Sequence, residues 1–258
     1  KTWMMSMPPA QSGTAYLNFI ASHDGIGLRP LDGLINDNER DQLVETIKSF
    51  GGKITMRKAR EGYDKPYELN ITLYDALKGT IASGEDQWGQ QRFICAHVIM
   101  LALEGIPAVY IQSLFGSRND FDRLKHTGRN RSINRLIWQV NELEQTLANQ
   151  KSNHAQVFEE LRRLLEIRKN QSAFHPNATQ FTLHLGAAVF AFWRQSMNRD
   201  QSVFCLSNVT TEVQLINLSD INLITTDTWR DLISEEILSD LGSQLSLQPY
   251  QTLWISNS

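Results

Sequence analysis

The stretch that decides the fold is Tyr16-Leu17-Asn18-Phe19-Ile20-Ala21-Ser22-His23-Asp24-Gly25, close to the start of a 258-residue chain. Its first half, Tyr16–Ile20, is a short apolar run of the kind that forms a buried strand. Its second half, Ser22–Gly25, is polar and ends in glycine, which is typical of a turn. We therefore predict a buried strand that ends in a turn carrying a histidine and an aspartate.

A second strand repeats this arrangement further along the chain. A helix is predicted over residues 85–103, where apolar residues such as Phe93 and Leu101 fall at helical spacing. Gly105-Ile106-Pro107 ends this helix, and Ala108–Gln112 is predicted as another buried strand that opens onto a loop. Such alternation of helices and strands is typical of an α/β fold with parallel strands.

The segment between the two strands contains one clear helix, for which Asn36 or Asp37 is the expected N-cap. The residues that follow, Lys53–Lys65, include five basic residues and only two acids, and we expect a mobile, locally basic insertion. Two more helices are predicted over Ile137–Gln150 and Ala155–Asn170.

After Pro176 the chain changes to short runs rich in β-branched and aromatic residues, separated by polar turns. We place a boundary there and predict an antiparallel β domain. Trp193, Trp229 and Trp254 are either core residues, which strand spacing favours, or stacking surfaces for sugars. The expected strands are Gln180–Leu185, Ala188–Arg194, Val203–Ser207, Val213–Leu218, Gln244–Leu247 and Thr252–Ile255.

Composition and motifs exclude several classes of protein. The 25 Lys and Arg residues are interspersed with 28 Asp and Glu, which argues against a nucleic-acid partner. The longest apolar stretch, Ile94–Leu103, is too short to cross a bilayer. Cys95 and Cys205 cannot form a disulfide framework, so a cytoplasmic location is expected. The histidines lack metal-binding spacing, so no metal is expected. No dinucleotide, P-loop or serine-hydrolase motif occurs, which argues against those three classes of protein.

His23 and Asp24 are the first candidates for function, because side chains at the carboxyl ends of parallel strands face the active site in a (β/α)8 barrel. The alternative is a turn in which Asp24 caps backbone amides. Arg129 and Arg135 carry planar charges suited to carboxylates or phosphates, or else belong to a solvated basic loop. The stretch Asp64–Asn70 either grips a sugar or forms a surface turn.

Five stretches of the chain agree, in order, with the motifs of one known family. Phe19–Gly27, which contains His-Asp-Gly-Ile-Gly, is similar to its fourth conserved region, at the end of the seventh barrel strand. Tyr67–Leu77 resembles an acceptor-site loop with the helix after it, and Gly105–Tyr110 the eighth barrel strand. Gly128–Arg135 resembles the motif Gly-Arg-x-Ile-Asn-Arg with extra residues inserted, and Pro249–Trp254 the end of a C-terminal β domain. The family is glycoside hydrolase family 13, the α-amylase family, and the resemblance is to its sucrose phosphorylase subfamily.

The resemblance implies a retaining α-glucosyl-transferring enzyme that uses inorganic phosphate as co-substrate and needs no cofactor. One carboxylate forms a β-glucosyl-enzyme, a second acts as general acid and base, and phosphate takes the glucose as α-glucose 1-phosphate. Asp24 matches a third carboxylate, the transition-state stabiliser, and His23 matches the hydrogen-bond donor beside it. Arg135 matches a residue of the glucose subsite, and Tyr67 a wall of the acceptor site.

The family's nucleophile and acid/base lie on the fourth and fifth barrel strands, and no Asp or Glu of this chain lies in their motifs. The implied fold is α/β plus all-β: the C-terminal part of a (β/α)8 barrel with an insertion, followed by an antiparallel β-sheet domain. We expect barrel residues at 1–30 and 85–176, the insertion with the acceptor loop at 31–84, and the β domain at 177–258. We expect the chain to be inactive alone, to partner the missing N-terminal barrel portion, and to be able to oligomerise through exposed apolar surface.

The acceptor loop departs from the sucrose phosphorylase pattern. Where that subfamily usually has Asp-Leu-Tyr-Gln, this chain has Lys65-Pro66-Tyr67-Glu68. We expect Lys65 and Glu68 to bind the substrate, and the added cation favours an anionic acceptor, such as a sugar phosphate or glycerate, over fructose. Two alternatives remain open: a hydrolase or glucan-modifying member of the same family, and a non-catalytic carbohydrate-binding protein.

Overall fold

The computed structural model describes residues 2–11, 13–58, 62–221 and 223–257. The chain divides into two compact units, each assembled from segments that are distant in sequence. The first unit consists of Lys1–Asn18, Ile94–Ala108 and Arg162–Ser258, and the second of Phe19–Phe93 and Val109–Leu161. The boundaries placed at residues 30, 84 and 176 stay predictions.

The helices that were predicted from sequence are confirmed as α2, α4, α7 and α8, with ends shifted by four residues or fewer. No described helix has both the length and the apolar character that crossing a membrane requires. The α-helices are α1 (Thr2–Ser6), α2 (Asp37–Ser49), α3 (Leu73–Ala76), α4 (Gly89–Ala102), α5 (Ile111–Leu114), α6 (Phe121–Thr127), α7 (Val140–Ala148) and α8 (Asn153–Lys169). Short 3₁₀ helices occur at Arg29–Leu31, Asn130–Asn134, Ser172–Phe174 and Leu218–Ile221.

The strands form several small sheets and one larger antiparallel sheet. The sheet orders are β1-β7, β12-β14-β10-β9-β8 and β11-β13 in the first unit, and β2-β4-β3 and β5-β6 in the second. The strands are β1 (Leu17–Asn18), β2 (Ile26–Gly27), β3 (Lys53–Lys58), β4 (Asp64–Asn70), β5 (Gly79–Thr80), β6 (Gly84–Glu85), β7 (Ile106–Pro107), β8 (Thr179–Leu183), β9 (Val189–Gln195), β10 (Ser202–Asn208), β11 (Gln214–Asn217), β12 (Trp229–Asp231), β13 (Gln244–Leu247) and β14 (Thr252–Asn257).

Helix α2 begins at a reciprocal cap. The Asn36 side chain accepts a hydrogen bond from the Glu39 amide at 3.0 Å, and the Glu39 carboxylate accepts one from the Asn36 amide at 2.8 Å. This arrangement satisfies two amides that the helix itself leaves unpaired. The predicted cap at Asn36 is confirmed, and the apolar face of α2 packs Val44 and Ile47 into a core with Leu69.

Most of the segment predicted as a mobile, locally basic insertion belongs to an antiparallel hairpin of β3 and β4. Ile54 lies opposite Leu69, and both contribute to the core beneath α2, while Lys53 and Lys58 are exposed. The hairpin itself was not predicted, because the basic residues of β3 obscured one strand face that does have apolar residues. That the segment is an insertion, and that it is mobile, stay predictions. Residue Arg60 of the predicted basic cluster lies outside the described residues.

Strands β1 and β7 pair in parallel, with Leu17 opposite Ile106, which confirms the predicted parallel arrangement. The prediction that Tyr16–Ile20 and Ala108–Gln112 are buried strands is wrong in burial, because Leu17 is 62% exposed and Ile111 is 49% exposed. It is also wrong in position for the second strand, because β7 ends at Pro107 and helix α5 begins at Ile111. Parallel strands are normally covered on both faces, so this pair is unusually open.

The region after Pro176 is an antiparallel β structure, as predicted. All six predicted runs correspond to strands, and β12 is an additional one that the sequence did not indicate. Trp229 and Trp254 are buried, and Trp193 stacks between Phe181 and Phe204 at ring distances of 4.7 and 5.6 Å. The three tryptophans are therefore core residues, and this removes the reason to regard them as sugar-stacking surfaces.

Two arginines of the first unit bind backbone carbonyls at the end of α4. The last carbonyls of a helix have no helical partner and favour cations. Arg194 is completely buried, and burial lowers the pKa of its guanidinium to about 10. Its Nη atoms donate to the carbonyls of Ala102 at 2.6 Å, His175 at 2.9 Å and Ala178 at 3.2 Å, while Arg168 donates to those of Leu101, Gly105 and Phe174.

We expect Arg194→Leu to lower the free energy of unfolding by about 3 kcal/mol, because it leaves buried carbonyls without donors. Chemical denaturation followed by tryptophan fluorescence measures this change. Arg230→Leu is the matched control, since Arg230 is an exposed arginine of the same sheet. Equal stability of the two variants would contradict a structural role for Arg194.

Candidate functional site

A tight turn presents His23 and Asp24. The amide of Ser22 donates to the Gly25 carbonyl and the amide of Gly25 donates to the Ser22 carbonyl, both at 3.0 Å. Gly25 has a φ of +112°, and a Cβ atom there would lie 2.2 Å from the Leu69 carbonyl oxygen. Only glycine combines that backbone conformation with such a close approach. The turn therefore depends on strand β4, which passes directly beside it.

Side chains from two other motifs hold the turn by its carbonyl groups. Each of the three successive carbonyls accepts a hydrogen bond from a different side chain, so the backbone is fixed on both sides of Asp24. The bonds are Asn134 Nδ2 to Ser22 O at 3.0 Å, Arg135 Nε to His23 O at 2.8 Å and Asn70 Nδ2 to Asp24 O at 2.8 Å. The structure thus brings together three stretches that are far apart in sequence.

Tyr110 anchors the 3₁₀ helix that carries Asn134. Its hydroxyl donates to the Asn134 carbonyl at 2.9 Å, and burial raises the pKa of this phenol. The residue lies just before α5, where the sequence predicted a strand. The predicted strand element is absent at Tyr110, and the side chain supports the site from the end of an extended segment.

The Asp24 carboxylate faces two guanidinium groups. Its Oδ1 atom lies 3.0 Å from Nη1 of Arg131 and 3.0 Å from Nη2 of Arg135, and 3.4 Å from Nε2 of His23. The Asp24 side chain is 31% exposed, so one side remains open to a ligand. The structure therefore brings together His23, Asp24 and Arg135, which the sequence singled out.

Arg131 joins Asp24 to Glu68. Its Nε donates to Glu68 Oε2 at 3.0 Å and its Nη2 donates to Oε1 at 2.6 Å, which is a bidentate ion pair. Glu68 is only 5% exposed, and its pairing with Arg131 is the main reason that the pKa of the guanidinium is raised. Glu68 therefore lies next to the Asp24 turn, with its carboxylate fully engaged.

Tyr67 lies at an irregularity of strand β4 and contacts a different side chain from Glu68. Thr55 pairs with Glu68 and Met56 with Pro66, so Tyr67 is an extra, bulged residue of β4. The guanidinium of Arg57 stacks over the Tyr67 ring at 5.4 Å. The bulge changes the direction of a side chain beside the site, which is a frequent use of such irregularities.

The charge of Lys65 is balanced within the second unit. Its Nζ donates to Asp32 Oδ1 at 2.5 Å, and Arg57 Nη2 lies 3.6 Å from Asp32 Oδ2. The hydrogen bond from Lys65 is the main cause that lowers the pKa of Asp32. Lys65 is therefore not an unpaired cation, although the cluster of Lys65, Arg57 and Asp32 keeps a net positive charge.

A cavity of about 820 Å³ adjoins these residues and is rich in positive charge. Within the described residues, no carboxylate forms an ion pair with Arg123 or Arg129, and the Nε atom of Arg123 is buried without a hydrogen-bond partner. The arrangement suits an anion. The lining residues are Thr55, Arg123, His126, Thr127, Gly128, Arg129, Asn130, Arg131, Ser132 and Arg135.

Sequence reasoning missed three residues of the site: Arg131, Asn70 and Asn134. Asn70 and Asn134 lie inside recognised stretches but do not differ visibly from ordinary polar residues. For Arg131 a signal existed, because it is one of three residues that stand where the Gly-Arg-x-Ile-Asn-Arg motif has a single residue, and Glu68 replaces an amide elsewhere. Only the structure joins these two departures. Among the described residues, no group of three or more His, Cys, Asp and Glu side chains is placed to bind a metal ion.

Comparison with known proteins identifies relatives over nearly the whole chain, although no family model matches. The glucosylglycerate phosphorylase of Escherichia coli K12 is 36% identical over 257 residues, or 98% of this chain and 43% of that enzyme. The glucosylglycerate phosphorylase of Allomeiothermus silvanus is 35% identical over 253 residues, or 98% of this chain and 42% of that enzyme. Among solved structures, sucrose 6F-phosphate phosphorylase from Thermoanaerobacter thermosaccharolyticum matches with a TM-score of 0.58 and 23% identity, over 88% of this chain and 39% of that one.

The chain spans about two-fifths of the length of these curated relatives, which it matches at 43% and 42% coverage. The structural match shows that the likeness extends to the fold. The ordered motifs found in the sequence agree with the sequence relatives and with this structural match. The chain therefore belongs to glycoside hydrolase family 13, among the sucrose phosphorylase-like enzymes, and corresponds to their C-terminal region.

Proposed function

We propose that this chain is the C-terminal part of a retaining disaccharide phosphorylase that transfers glucose between an anionic acceptor and phosphate. The observation that carries the proposal is the Asp24 carboxylate, which a rigid turn presents within 3.0 Å of two arginines. In this proposal residues 1–30 and 85–176 complete a (β/α)8 barrel, residues 31–84 form an insertion, and residues 177–258 form a β domain. The longer polypeptide that contains the 258 residues is called the parent enzyme below.

The proposed reaction converts a glucoside and phosphate into α-glucose 1-phosphate and the free acceptor. A nucleophilic carboxylate forms an ester with the glucose carbon, while the general acid gives its proton to the departing acceptor oxygen. A phosphate oxygen then attacks the same carbon and loses its proton to the residue that acted as acid. Both of these carboxylates belong to barrel strands outside the present sequence, and no metal or cofactor takes part.

In this scheme Asp24 stabilises the positive charge that develops on the sugar ring in the transition state. Both arginines contact Oδ1 of Asp24, so the other carboxylate oxygen, Oδ2, is available to hydroxyl groups of the sugar. His23 donates a hydrogen bond to the same sugar, and Arg135 fixes both the turn and the carboxylate. The three hydrogen bonds to the turn carbonyls support this role, because they hold the carboxylate before substrate binds.

The acceptor side favours a small anion over fructose. Four arginines line the cavity, and two of them have no carboxylate partner among the described residues. Two relatives are named for glucosylglycerate, a glucoside of an acid, and this agrees with the charge of the cavity. We propose glycerate or a close analogue as the acceptor, with Tyr67 as a wall of the subsite and with Glu68 and Lys65 shaping its charge.

The open β1–β7 pair supports the barrel proposal. Its exposed Leu17 and Ile106 are placed where further parallel strands would bury them. The partners proposed for the chain are therefore the glucoside, phosphate and the N-terminal barrel portion of the parent enzyme, with self-association possible through the same exposed residues. A cytoplasmic location and the lack of nucleic-acid or membrane partners are parts of the same proposal.

Asp24→Asn in the parent enzyme is expected to reduce kcat/KM for phosphorolysis by about 100- to 1,000-fold, because an amide cannot compensate the charge of the transition state. Release of glucose 1-phosphate measures the effect. Asp37→Asn is the control, since Asp37 is an exposed acid of α2, and its activity should stay within about twofold of the unchanged enzyme. Comparable activities of the two variants would remove Asp24 from the mechanism.

The 258-residue polypeptide is expected to release no sugar from glucosylglycerate, because it lacks the nucleophile and the acid/base. The parent enzyme should produce glucose 1-phosphate in proportion to added phosphate. Chromatography of the products distinguishes the possibilities. Turnover by the 258-residue polypeptide would refute the assignment of the missing carboxylates, and free glucose without phosphate would indicate a hydrolase instead.

A further inference from the structure

Two departures from the sucrose phosphorylase pattern meet in the structure. Glu68 stands where that subfamily usually has an amide, and Arg131 is one of three residues that stand where the motif ending at Arg135 has a single residue. The two side chains form the bidentate pair described above, at 3.0 and 2.6 Å. A buried carboxylate without a partner is costly, so each change makes the other tolerable. The pair therefore behaves as one feature added to the site.

We propose that Arg131 binds the anionic group of the acceptor and that Glu68 is a positioning residue that acts through it. This inference rests on the proposed function, since it names the residue that gives the site its preference for an acid. It also separates Glu68 from direct acceptor contact, because both of its carboxylate oxygens accept hydrogen bonds from Arg131.

The guanidinium of Arg131 keeps donors available for a ligand. It has five N–H groups, of which Glu68 takes two. Nη1 lies 3.0 Å from Asp24, and among the described residues the other N–H groups make no further hydrogen bond. The side chain is 43% exposed and lines the cationic cavity. A carboxylate in that cavity can therefore meet a guanidinium whose orientation is already fixed.

The position of Arg131 suits a group on the acceptor. Asp24, which we assign to the glucose, lies on one side of it, and Glu68, on the acceptor strand β4, lies on the other. An acceptor bound next to the glucose would therefore place its acidic group within reach of Arg131. This geometry requires a small acceptor, in which few atoms separate the acid from the hydroxyl that carries the glucose.

Other cations near the site are less suited to this role. Lys65 is bonded to Asp32, and Arg57 lies near the same carboxylate and over the Tyr67 ring. Arg135 is assigned to the glucose side of the site, where it donates to the His23 carbonyl and to Asp24, and among the described residues it forms no hydrogen bond or ion pair with the acceptor strand β4. Arg129 also lines the cavity but has no partner that fixes its orientation among the described residues, so it is the alternative to test.

The test uses the parent enzyme in the synthetic direction, with glucose 1-phosphate as donor and either D-glycerate or glycerol as acceptor. The two acceptors differ only in the carboxylate, so their kcat/KM ratio isolates its recognition. For Arg131→Gln we expect KM for glycerate to rise about 10- to 100-fold, which corresponds to loss of a charge-assisted contact. Because Arg131 also contacts Asp24, kcat is expected to fall by the same factor with both acceptors, whereas KM for glycerol should stay within about threefold. Arg131→Lys should restore part of the glycerate affinity.

The double variant Glu68→Gln/Arg131→Gln controls for misfolding. It removes both charges of the pair together, so neither side chain is left as an ion without its partner. It should lose the preference for glycerate to the same extent as Arg131→Gln, whereas Glu68→Gln alone should raise KM for glycerate less. Lys48→Gln, which removes an exposed cation of α2, is the matched control and should leave the ratio unchanged.

The results separate this inference from the proposed function. If the unchanged enzyme prefers glycerate and Arg131→Gln keeps that preference, the inference is overturned and the proposed function stands. If Lys65→Ala or Arg129→Gln abolishes the preference while Arg131→Gln does not, recognition belongs to that residue instead. If the unchanged enzyme transfers glucose to neither acceptor, both proposals fail.

Discussion

The candidate site depends on one guanidinium that connects two carboxylates. Arg131 holds Glu68 through two hydrogen bonds and lies beside Asp24, which Arg135 approaches from another direction. Two positive and two negative charges thus balance in a small volume, and removal of any one leaves an uncompensated partner. Because Glu68 lies on β4 and Asp24 on the neighbouring turn, the same charges also fix the acceptor strand against the sugar-binding turn. Preorganisation of this kind lets a site act on charge that appears only in the transition state.

Local sequence patterns were enough to predict the features that residues close together in the sequence form. The cap at Asn36, the helices and the C-terminal strands depend on residues within one turn or one strand, and these predictions are confirmed. Burial of the strand before His23 failed as a prediction, because burial depends on neighbours that are distant in sequence. The hairpin of β3 and β4 was missed for a related reason: α2 completes its apolar face, so the periodicity in the strand alone was weak.

Only some residues of the candidate site could be predicted from the sequence. His23, Asp24 and Arg135 belong to motifs that resemble a known family, and the structure brings them into contact. Arg131 could not be assigned in advance, since its importance comes from a partner 63 residues away. Lys65 illustrates the opposite error: a basic residue suggests an available charge, and its pairing with Asp32 becomes visible only in three dimensions. Residues that compensate one another across the fold are the ones that sequence alone conceals.

A double-mutant cycle on Glu68 and Arg131 tests the central interaction most directly. The unfolding free energies of the 258-residue chain and of its Glu68→Gln, Arg131→Gln and doubly substituted forms give the coupling between the two side chains. We expect a coupling energy of at least about 1 kcal/mol, with the double variant more stable than the sum of the single effects implies. A coupling below about 0.3 kcal/mol would mean that the two residues do not act together, and it would contradict the arrangement of the site described above.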